Sequence, residues 1–209
     1  MAAIVSHESL MNAQTLLLCA VLIGYLLGSL PFAVIVSRAC GLPDPRTVGS
    51  KNPGATNVLR SGNKLAALLT LIGDALKGWI AMKVVALLGM EEMAVAAAGF
   101  AAFIGHLFPL FLKFKGGKGV ATALGVLAGF SGWLALICVG AWLLTALVMR
   151  YSSLAALVAA AVAPSAAWWL KLPVEALIVV SAMSALLIVR HRSNIQHLLA
   201  GTEGKLGGK

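Results

Sequence analysis

The sequence predicts an all-α integral membrane protein with seven transmembrane segments, some of them short or broken. Of the 209 residues, 60% are hydrophobic and only 11% are charged, and the mean hydropathy is +0.96. Soluble domains carry closer to a quarter charged residues. Apolar runs alternate with short polar stretches, and a run of about 20 apolar residues is long enough to cross a bilayer as a helix. We therefore expect a single polytopic membrane domain over residues 1–209.

The first predicted span covers residues 16–36 and contains Gly28-Ser-Leu-Pro31 in its second half. Because proline lacks a backbone N–H group, this span is predicted to be kinked or broken near Pro31. The polar lead over residues 1–14 has no basic region, so no cleavable signal peptide is predicted. A polar stretch over residues 38–64 follows and is too rich in Gly, Asn and Ser for a plain linker helix.

The second predicted span, residues 65–88, carries Asp74 and Lys77 on one helix face, because the two are three positions apart. Ionisable residues at membrane depth are functional candidates. We interpret this pair as a neutralising support beneath a site rather than as direct catalysts. The third predicted span, residues 93–112, contains His106, which we interpret as a structural hydrogen-bonding residue.

The apolar run over residues 120–149 is either one long helix or a tight hairpin that turns near Ser131-Gly132. The hairpin places 13 of the 16 Lys and Arg residues on one side of the membrane, which the positive-inside rule makes the cytoplasm. With further spans at 151–170 and 173–189, it predicts seven segments, an outside N-terminus and a cytoplasmic C-terminus. The segment at 120–130 is then too short to cross fully.

Composition also restricts the partners. Three scattered cysteines and four histidines show no metal-ligand spacing, so neither a metal nor a cofactor is predicted. The net charge of +9 indicates anionic lipid and anionic substrates. No basic face is left for nucleic acid once the membrane loops are assigned, so no nucleic-acid partner is expected.

Three polar blocks share the predicted cytoplasmic face, at residues 44–60, 113–122 and 190–203. In the second block, Lys113 to Gly119 contains three lysines and three glycines, and a helix is predicted to begin near Val120. Glycine N–H groups, lysine charge and a helix N-terminus together suit a bound phosphate. The alternative is a basic, glycine-rich turn that only fixes topology.

Together the blocks hold residue types that bind phosphate, orient hydroxyls and accept protons: Ser50, Asn52, Asn57, Arg60, Lys115, Lys118, Thr122, His191, Asn194 and Glu203. The sequence offers no acidic cluster for Mg²⁺ and no activated covalent nucleophile. A substrate that arrives already activated would need only positioning and charge neutralisation.

Several blocks resemble one family in order and spacing: Gly28-Ser-Leu-Pro31, Gly49-Ser-Lys-Asn-Pro-Gly-Ala-Thr-Asn-Val-Leu-Arg60, Lys77-Gly78, Gly105-His106, Phe114-Lys-Gly-Gly-Lys-Gly-Val-Ala-Thr122, Arg190-His-Arg-Ser-Asn-Ile195 and Gly201-Thr-Glu203. They are similar to the bacterial acyl-phosphate:glycerol-3-phosphate acyltransferases. This resemblance implies a seven-span inner-membrane enzyme of phospholipid synthesis with a cytoplasmic active site. It would move a fatty acyl group from acyl phosphate to the sn-1 hydroxyl of glycerol 3-phosphate, giving lysophosphatidate and phosphate. Its partners would be both substrates, membrane lipid and the enzyme that supplies acyl phosphate.

The resemblance also implies roles for individual residues. The residues with implied catalytic roles are His191, Asn194, Ser50 and Arg60. Substrate or phosphate binding falls on Lys118, Lys115, Gly116, Gly117, Gly119, Thr122, Asn52, Asn57 and Ser153. Two positions depart from the family pattern, namely Lys51, where glycine is common, and His197, where arginine is usual. The acceptor of the hydroxyl proton stays open between His191 and a substrate phosphate oxygen.

Two other functions compete with this interpretation. A transporter for a phosphorylated solute would place polar residues near the midplane and often contains a repeat. Here the polar blocks gather on one face, and no clear repeat is found. A phosphatidyltransferase would need metal-binding acidic residues, whereas this chain has only two aspartates, Asp44 and Asp74.

Overall fold

The computed structural model describes the backbone of residues 7–207 and the side chains of residues 12–207. All of the regular secondary structure in this part of the chain is helical, which confirms the predicted all-α fold class. Its α-helices are α1 His7–Gly28, α2 Phe32–Ala39, α3 Ala55–Arg60, α4 Lys64–Leu87, α5 Glu92–Leu107, α6 Val120–Phe130, α7 Gly132–Met149, α8 Ser152–Trp169, α9 Val174–Arg190 and α10 Arg192–Leu199. The polar lead before residue 7 lies outside the described residues.

Within the described residues, five helical stretches are long and apolar enough to cross a membrane, and α9 with α10 makes a sixth if that pair, bent by 56°, counts as one span. The five are residues 12–39, Lys64–Leu87, Glu92–Leu112, Gly132–Met149 and Ser152–Trp169. The apolar helix α6 has 11 residues, too few to cross by itself. An integral membrane fold is therefore clear, while the number of seven spans and the orientation of the termini stay predictions.

The first span breaks at Pro31, as its sequence predicts. Helix α1 ends at Gly28 and α2 begins at Phe32, so the segment from Ser29 to Pro31 is not helical. Gly28 allows the close approach of α1 to α5, since a β-carbon there would stand 2.1 Å from Ala102 O. Small residues at such contacts let two membrane helices meet backbone to backbone.

The apolar run after residue 120 forms two helices, as the hairpin interpretation predicted. Ser131 separates α6 from α7 in an extended conformation, and its Oγ accepts a hydrogen bond from Leu134 N at 3.4 Å. The single-helix alternative is wrong, because this serine caps the second helix instead of continuing the first. Helix α6 then packs closely on α4, where a β-carbon at Gly125 would lie 1.8 Å from Ala75 O.

Candidate active site

A cavity of about 350 Å³ opens among the three polar blocks and continues between apolar helices. Its mouth carries hydroxyl, amide, cationic and carboxylate groups, and its interior is lined by aliphatic and small side chains. The interior residues include Leu124, Leu127, Cys138, Trp142, Ala160, Ala163, Val180 and Met183. A polar mouth above an apolar interior matches the shape of a molecule with an anionic head and a hydrocarbon tail.

The cavity brings together most of the residues that the sequence singled out. Those that line it are Ser50, Asn52, Asn57, Arg60, Lys118, Gly119, Ser153, His191 and Asn194. The remaining four, Lys115, Gly116, Gly117 and Thr122, do not line it. Lys115 is exposed at the surface, and the Thr122 hydroxyl is fully buried where α6 contacts Gly78 of α4.

The glycine loop corrects one expectation. The Gly116 N–H donates to Leu107 O and the Gly117 N–H donates to His106 O, both at 3.2 Å. These two amides therefore bind the end of α5 and are not available to hold a phosphate. The positions require glycine for steric reasons, because a β-carbon would stand 2.1 Å from His106 O at Gly116 and 2.3 Å from His106 Nε2 at Gly117.

The other side of this loop is held by α9. The Arg190 Nη2 atom donates to Gly116 O at 3.2 Å and to Gly117 O at 3.0 Å. The same guanidinium lies 5.5 Å from the centre of the Phe108 ring. Arg190 therefore binds the carbonyl groups of the two residues whose N–H groups bond to the end of α5. Lys118, the next residue, leaves the clamped segment and points into the cavity.

Asn57 organises the first polar block from within. Its Nδ2 donates to Pro45 O at 2.7 Å and to Val48 O at 3.1 Å, and its Oδ1 accepts from Ser50 N at 3.0 Å. The side chain is buried, so these bonds fix the loop that presents Ser50. Lys51 follows with φ of 56°, a left-handed conformation that favours glycine. That conformation suits the glycine that the family resemblance leads one to expect at this position.

A hydrogen-bonded chain crosses the mouth of the cavity. Lys118 Nζ donates to Asn194 Oδ1, and Asn194 Nδ2 donates to Glu203 Oε1 at 2.7 Å. Ser153 Oγ donates to the same carboxylate oxygen. Burial lowers the pKa of the Lys118 ammonium, because desolvation penalises its charge. These hydrogen bonds thus link the loop before α6, the start of α8 and the segment that runs from α10 to Glu203.

Glu203 is the residue that sequence reasoning missed. It was seen in the third polar block but was not singled out as a site residue, although it is the one carboxylate in the basic stretch 190–203. Its side chain is only 8% exposed, and His197 Nδ1 lies 3.7 Å from its second oxygen. His197, which stands where the family resemblance implies an arginine, does not line the cavity. This difference therefore lies next to the site and not within it.

His191 lies just after α9 and is 3% exposed. Its Nδ1 is 2.8 Å from Leu187 O. A carbonyl oxygen can only accept, so Nδ1 carries the proton and the lone pair is on Nε2. Burial lowers the pKa of His191 to about 4, because the charged imidazolium is poorly solvated there. The ring is therefore neutral at pH 7.

Asp74 and His106 reach the same cavity from below. Lys77 Nζ is 2.7 Å from Asp74 Oδ1, and His106 Nδ1 is 3.4 Å from that oxygen. The sequence interpretation paired Asp74 with Lys77 on one face of α4, which the structure confirms. It did not foresee that His106 from α5 completes the cluster.

Comparison with known proteins agrees with this arrangement. A family model described as glycerol-3-phosphate acyltransferase matches residues 18–201. The chain belongs to the glycerol-3-phosphate acyltransferase family. The glycerol-3-phosphate acyltransferase of Laribacter hongkongensis is 55% identical over 92% of this chain and 97% of its own. That of Bordetella pertussis is 53% identical over 99% of this chain and 97% of its own.

Two solved structures of the family share the fold. PlsY (YgiH), an integral membrane glycerol 3-phosphate acyltransferase, in its glycerol 3-phosphate form matches with a TM-score of 0.85 and 41% identity, covering 91% of this chain and 96% of that one. Its lysophosphatidic acid form matches with a TM-score of 0.84 and 39% identity, covering 91% and 95%. Membership of this family accounts for the integral membrane fold.

Proposed function

We propose that this protein transfers a fatty acyl group from acyl phosphate to the sn-1 hydroxyl of glycerol 3-phosphate. The products are 1-acylglycerol 3-phosphate and phosphate, in the first acylation step of phospholipid synthesis. The observation that carries the proposal is that one cavity combines a cationic, hydrogen-bonding mouth with an apolar interior. The relatives named for glycerol-3-phosphate acyl transfer support the acceptor.

The groups at the mouth are compatible with acyl phosphate as the donor, which is the donor that the family resemblance implies. Acyl phosphate is already activated, so transfer needs no covalent enzyme intermediate, and the mouth offers cations and hydrogen-bond donors. Arg60 and Lys118 neutralise the repulsion between two phosphorylated substrates through charge-assisted hydrogen bonds. The acyl chain occupies the apolar interior between α6, α7, α8 and α9.

The reaction is one attack at the acyl carbonyl. The sn-1 oxygen forms a bond to the carbonyl carbon, and the bond from that carbon to the phosphate oxygen breaks. The hydroxyl proton moves to an oxygen of the phosphate, so charge and atoms balance without any further reactant. Asn194 and Ser153 lie beside the attacking oxygen, and both are already ordered by Glu203.

His191 orients the hydroxyl in this scheme. Its free Nε2 accepts a hydrogen bond from the sn-1 hydroxyl, since Nδ1 donates to Leu187 O. With a pKa of about 4, the ring is a weaker base than a phosphate oxygen, whose second pKa is about 6. The low pKa of His191 therefore favours a substrate phosphate oxygen as the proton acceptor in this scheme.

The reaction takes place at the cytoplasmic face of the inner membrane. The positive-inside rule assigns the side that holds most of the Lys and Arg residues to the cytoplasm, and the mouth of the cavity is on that side. Both substrates and the enzyme that supplies acyl phosphate then meet the protein from one compartment. Reporter fusions test this topology. Fusions at residues 131 and 171 should report the outside, and fusions at residues 62 and 200 should report the cytoplasm.

The decisive experiment supplies two donors to the purified protein in a lipid phase. Glycerol 3-phosphate is mixed with palmitoyl phosphate or with palmitoyl-CoA, and released phosphate and lysophosphatidate are measured. Product from palmitoyl phosphate alone supports the proposal, and product only from the thioester overturns the donor. Position-resolved analysis of the product tests the sn-1 assignment.

A matched pair of lysine variants connects the activity to the cavity. Lys118→Met should lower kcat/KM about 10- to 100-fold, because a partly buried charge-assisted hydrogen bond to phosphate is lost. Lys115→Met removes an exposed lysine three residues away and should leave kcat/KM within about twofold of wild type. Equal losses of kcat/KM in the two variants would contradict the assignment of Lys118 to the substrate-binding cavity.

A further inference from the structure

A buried ionic cluster lies beneath the cavity and has no part in the chemistry above. Asp74, Lys77 and His106 are 2%, 3% and 7% exposed. The Asp74 Oδ1 atom lies 2.7 Å from Lys77 Nζ and 3.4 Å from His106 Nδ1. A buried ion pair often contributes less stability than apolar residues of the same volume would. The cluster therefore calls for an explanation other than stability.

One end of the cluster holds the break in the first span. Lys77 Nζ donates to Leu30 O at 2.8 Å. This carbonyl lies in the non-helical segment between α1 and α2, immediately before Pro31. Backbone groups freed at membrane depth must find a partner, because no water is present to solvate them. Lys77 supplies that partner and ties α4 to the break.

The other end of the cluster holds the glycine loop. His106 Nδ1 faces Asp74, so the ring turns its Nε2 edge toward Gly117. A β-carbon on Gly117 would lie 2.3 Å from that nitrogen, which shows how closely the loop rests on the ring. The His106 carbonyl also accepts the Gly117 N–H at 3.2 Å. Lys118 is the next residue and projects into the cavity.

A small second pocket confirms that these parts meet at one place. It holds about 10 Å³ and is bordered by Leu30, Asp74, Lys77, His106 and both Gly116 and Gly117. The break, the cluster and the glycine loop are thus one contiguous assembly. The His106 ring lies between Asp74 and Gly117, so the ring and the loop connect a change at Asp74 or Lys77 to Lys118.

We propose that Asp74, Lys77 and His106 act as positioning residues that hold the glycine loop against α5, and so set the place of Lys118 in the cavity. This inference rests on the proposed function, because Lys118 binds a substrate phosphate there. The residues do not touch substrate in this scheme. Their loss weakens capture of glycerol 3-phosphate through the displaced lysine.

The test combines two variants and one control. Asp74→Asn with Lys77→Met removes both charges together, so neither is left buried alone. His106→Asn keeps a polar group toward Asp74 and removes the ring edge beneath Gly117, and it serves if the double variant does not fold. Thr70→Val is the control, since Thr70 is buried on α4 and its hydroxyl bonds only to Ala66 O within its own helix at 2.8 Å.

Two measurements follow each variant. Amide hydrogen exchange over residues 113–119 should rise about tenfold, which corresponds to the loss of about one hydrogen bond, while α8 keeps its protection. The KM for glycerol 3-phosphate should rise about tenfold, and kcat should fall less, because a loop displaced by about 1 Å misplaces a binding group. Thr70→Val should change neither quantity.

The outcomes separate this inference from the proposed function. Unchanged exchange and unchanged KM in a folded variant would overturn the positioning role. A general rise in exchange across α4, α5 and α8 would also overturn it, since that result indicates a purely structural cluster. If wild-type protein transfers no acyl group from any donor, the proposed function fails, but a loop-specific rise in exchange still supports the positioning role.

Discussion

The His191 ring places its Nδ1 atom 2.8 Å from the Leu187 carbonyl oxygen, one helical turn earlier in the chain. This contact fixes the tautomer and leaves Nε2 as the only nitrogen that can accept a hydrogen bond. Burial at the same time lowers the pKa of the ring to about 4. The most familiar candidate base in the sequence is thus arranged as a neutral hydrogen-bond acceptor.

His191→Ala should therefore lower kcat/KM only about tenfold, the effect of one neutral hydrogen bond. Removal of a true general base would cost about 10²- to 10⁴-fold. Steady-state rates with palmitoyl phosphate distinguish the two. His197→Ala is the matched control, because His197 is 57% exposed and outside the cavity, and it should retain wild-type rates. A thousandfold loss in His191→Ala would return the histidine to the role of base.

Acid should weaken the folded state through His191. Its pKa is about 4 in the folded protein and 6.5 as a free side chain. Between these pH values the unfolded chain binds a proton at this residue and the folded chain does not. The contribution of neutral His191 to the free energy of unfolding is complete above pH 6.5 and is lost as the pH drops from 6.5 to 4. It amounts to about 3 kcal/mol. Unfolding temperatures in detergent between pH 4 and 7 measure it. His191→Asn should show a flatter pH dependence, and identical slopes would refute the assignment.

Gly117→Ala should lower activity although glycine is not needed there for its backbone freedom. The added methyl group would stand 2.3 Å from His106 Nε2, so the loop or the ring must move. We expect about a hundredfold loss in kcat/KM, as for misplaced binding groups generally. Gly140→Ala is the control, because nothing lies within 4 Å of its added carbon.

A second-site change sharpens that prediction. His106→Ser removes the ring that the new methyl group meets, so Gly117→Ala should cost less activity in the His106→Ser background than in wild type. Kinetics of the four proteins form a double-mutant cycle. Additive losses would show that Gly117 and His106 act independently.

The acyl interior should set chain-length preference. Ala163 lines the cavity ten positions beyond Ser153 on α8, which places it about 15 Å deeper along the helix. Ala163→Leu should reduce kcat/KM for palmitoyl phosphate more than for a shorter acyl phosphate. A series of donors from eight to sixteen carbons measures this preference. Ala146→Leu, at a buried position of α7 outside the cavity, is the control, and equal shifts in both variants would refute the prediction.

Patterns that depend on local chemistry were predictable from the sequence. Pro31 must interrupt a helix, because it lacks an N–H group, and the helices do break between Gly28 and Phe32. The distribution of Lys and Arg indicated a hairpin near Ser131, and this residue does separate α6 from α7. Sequence blocks also carried the family resemblance, which the comparisons confirmed.

Contacts between distant segments were beyond such reasoning. Glycines beside lysines suggested a phosphate-binding loop, yet the amides of Gly116 and Gly117 bond to the end of α5. The sequence predicts a tight glycine-rich loop, but the partner of each N–H group in that loop depends on which helix lies beside it. Glu203 was missed for the same reason, since its importance comes from Asn194 and Ser153 meeting at one carboxylate oxygen.

The sequence by itself determined a helical membrane protein, the places where its helices break and the polar blocks that carry its chemistry. These follow from hydropathy, from the missing N–H of proline and from the preferred side of positive charge. Only the tertiary structure decided that Lys118 reaches the cavity while Lys115 does not, that His191 is neutral and that His106 joins Asp74. Burial and the direction of a side chain arise from packing between helices far apart in the chain, which no local pattern records.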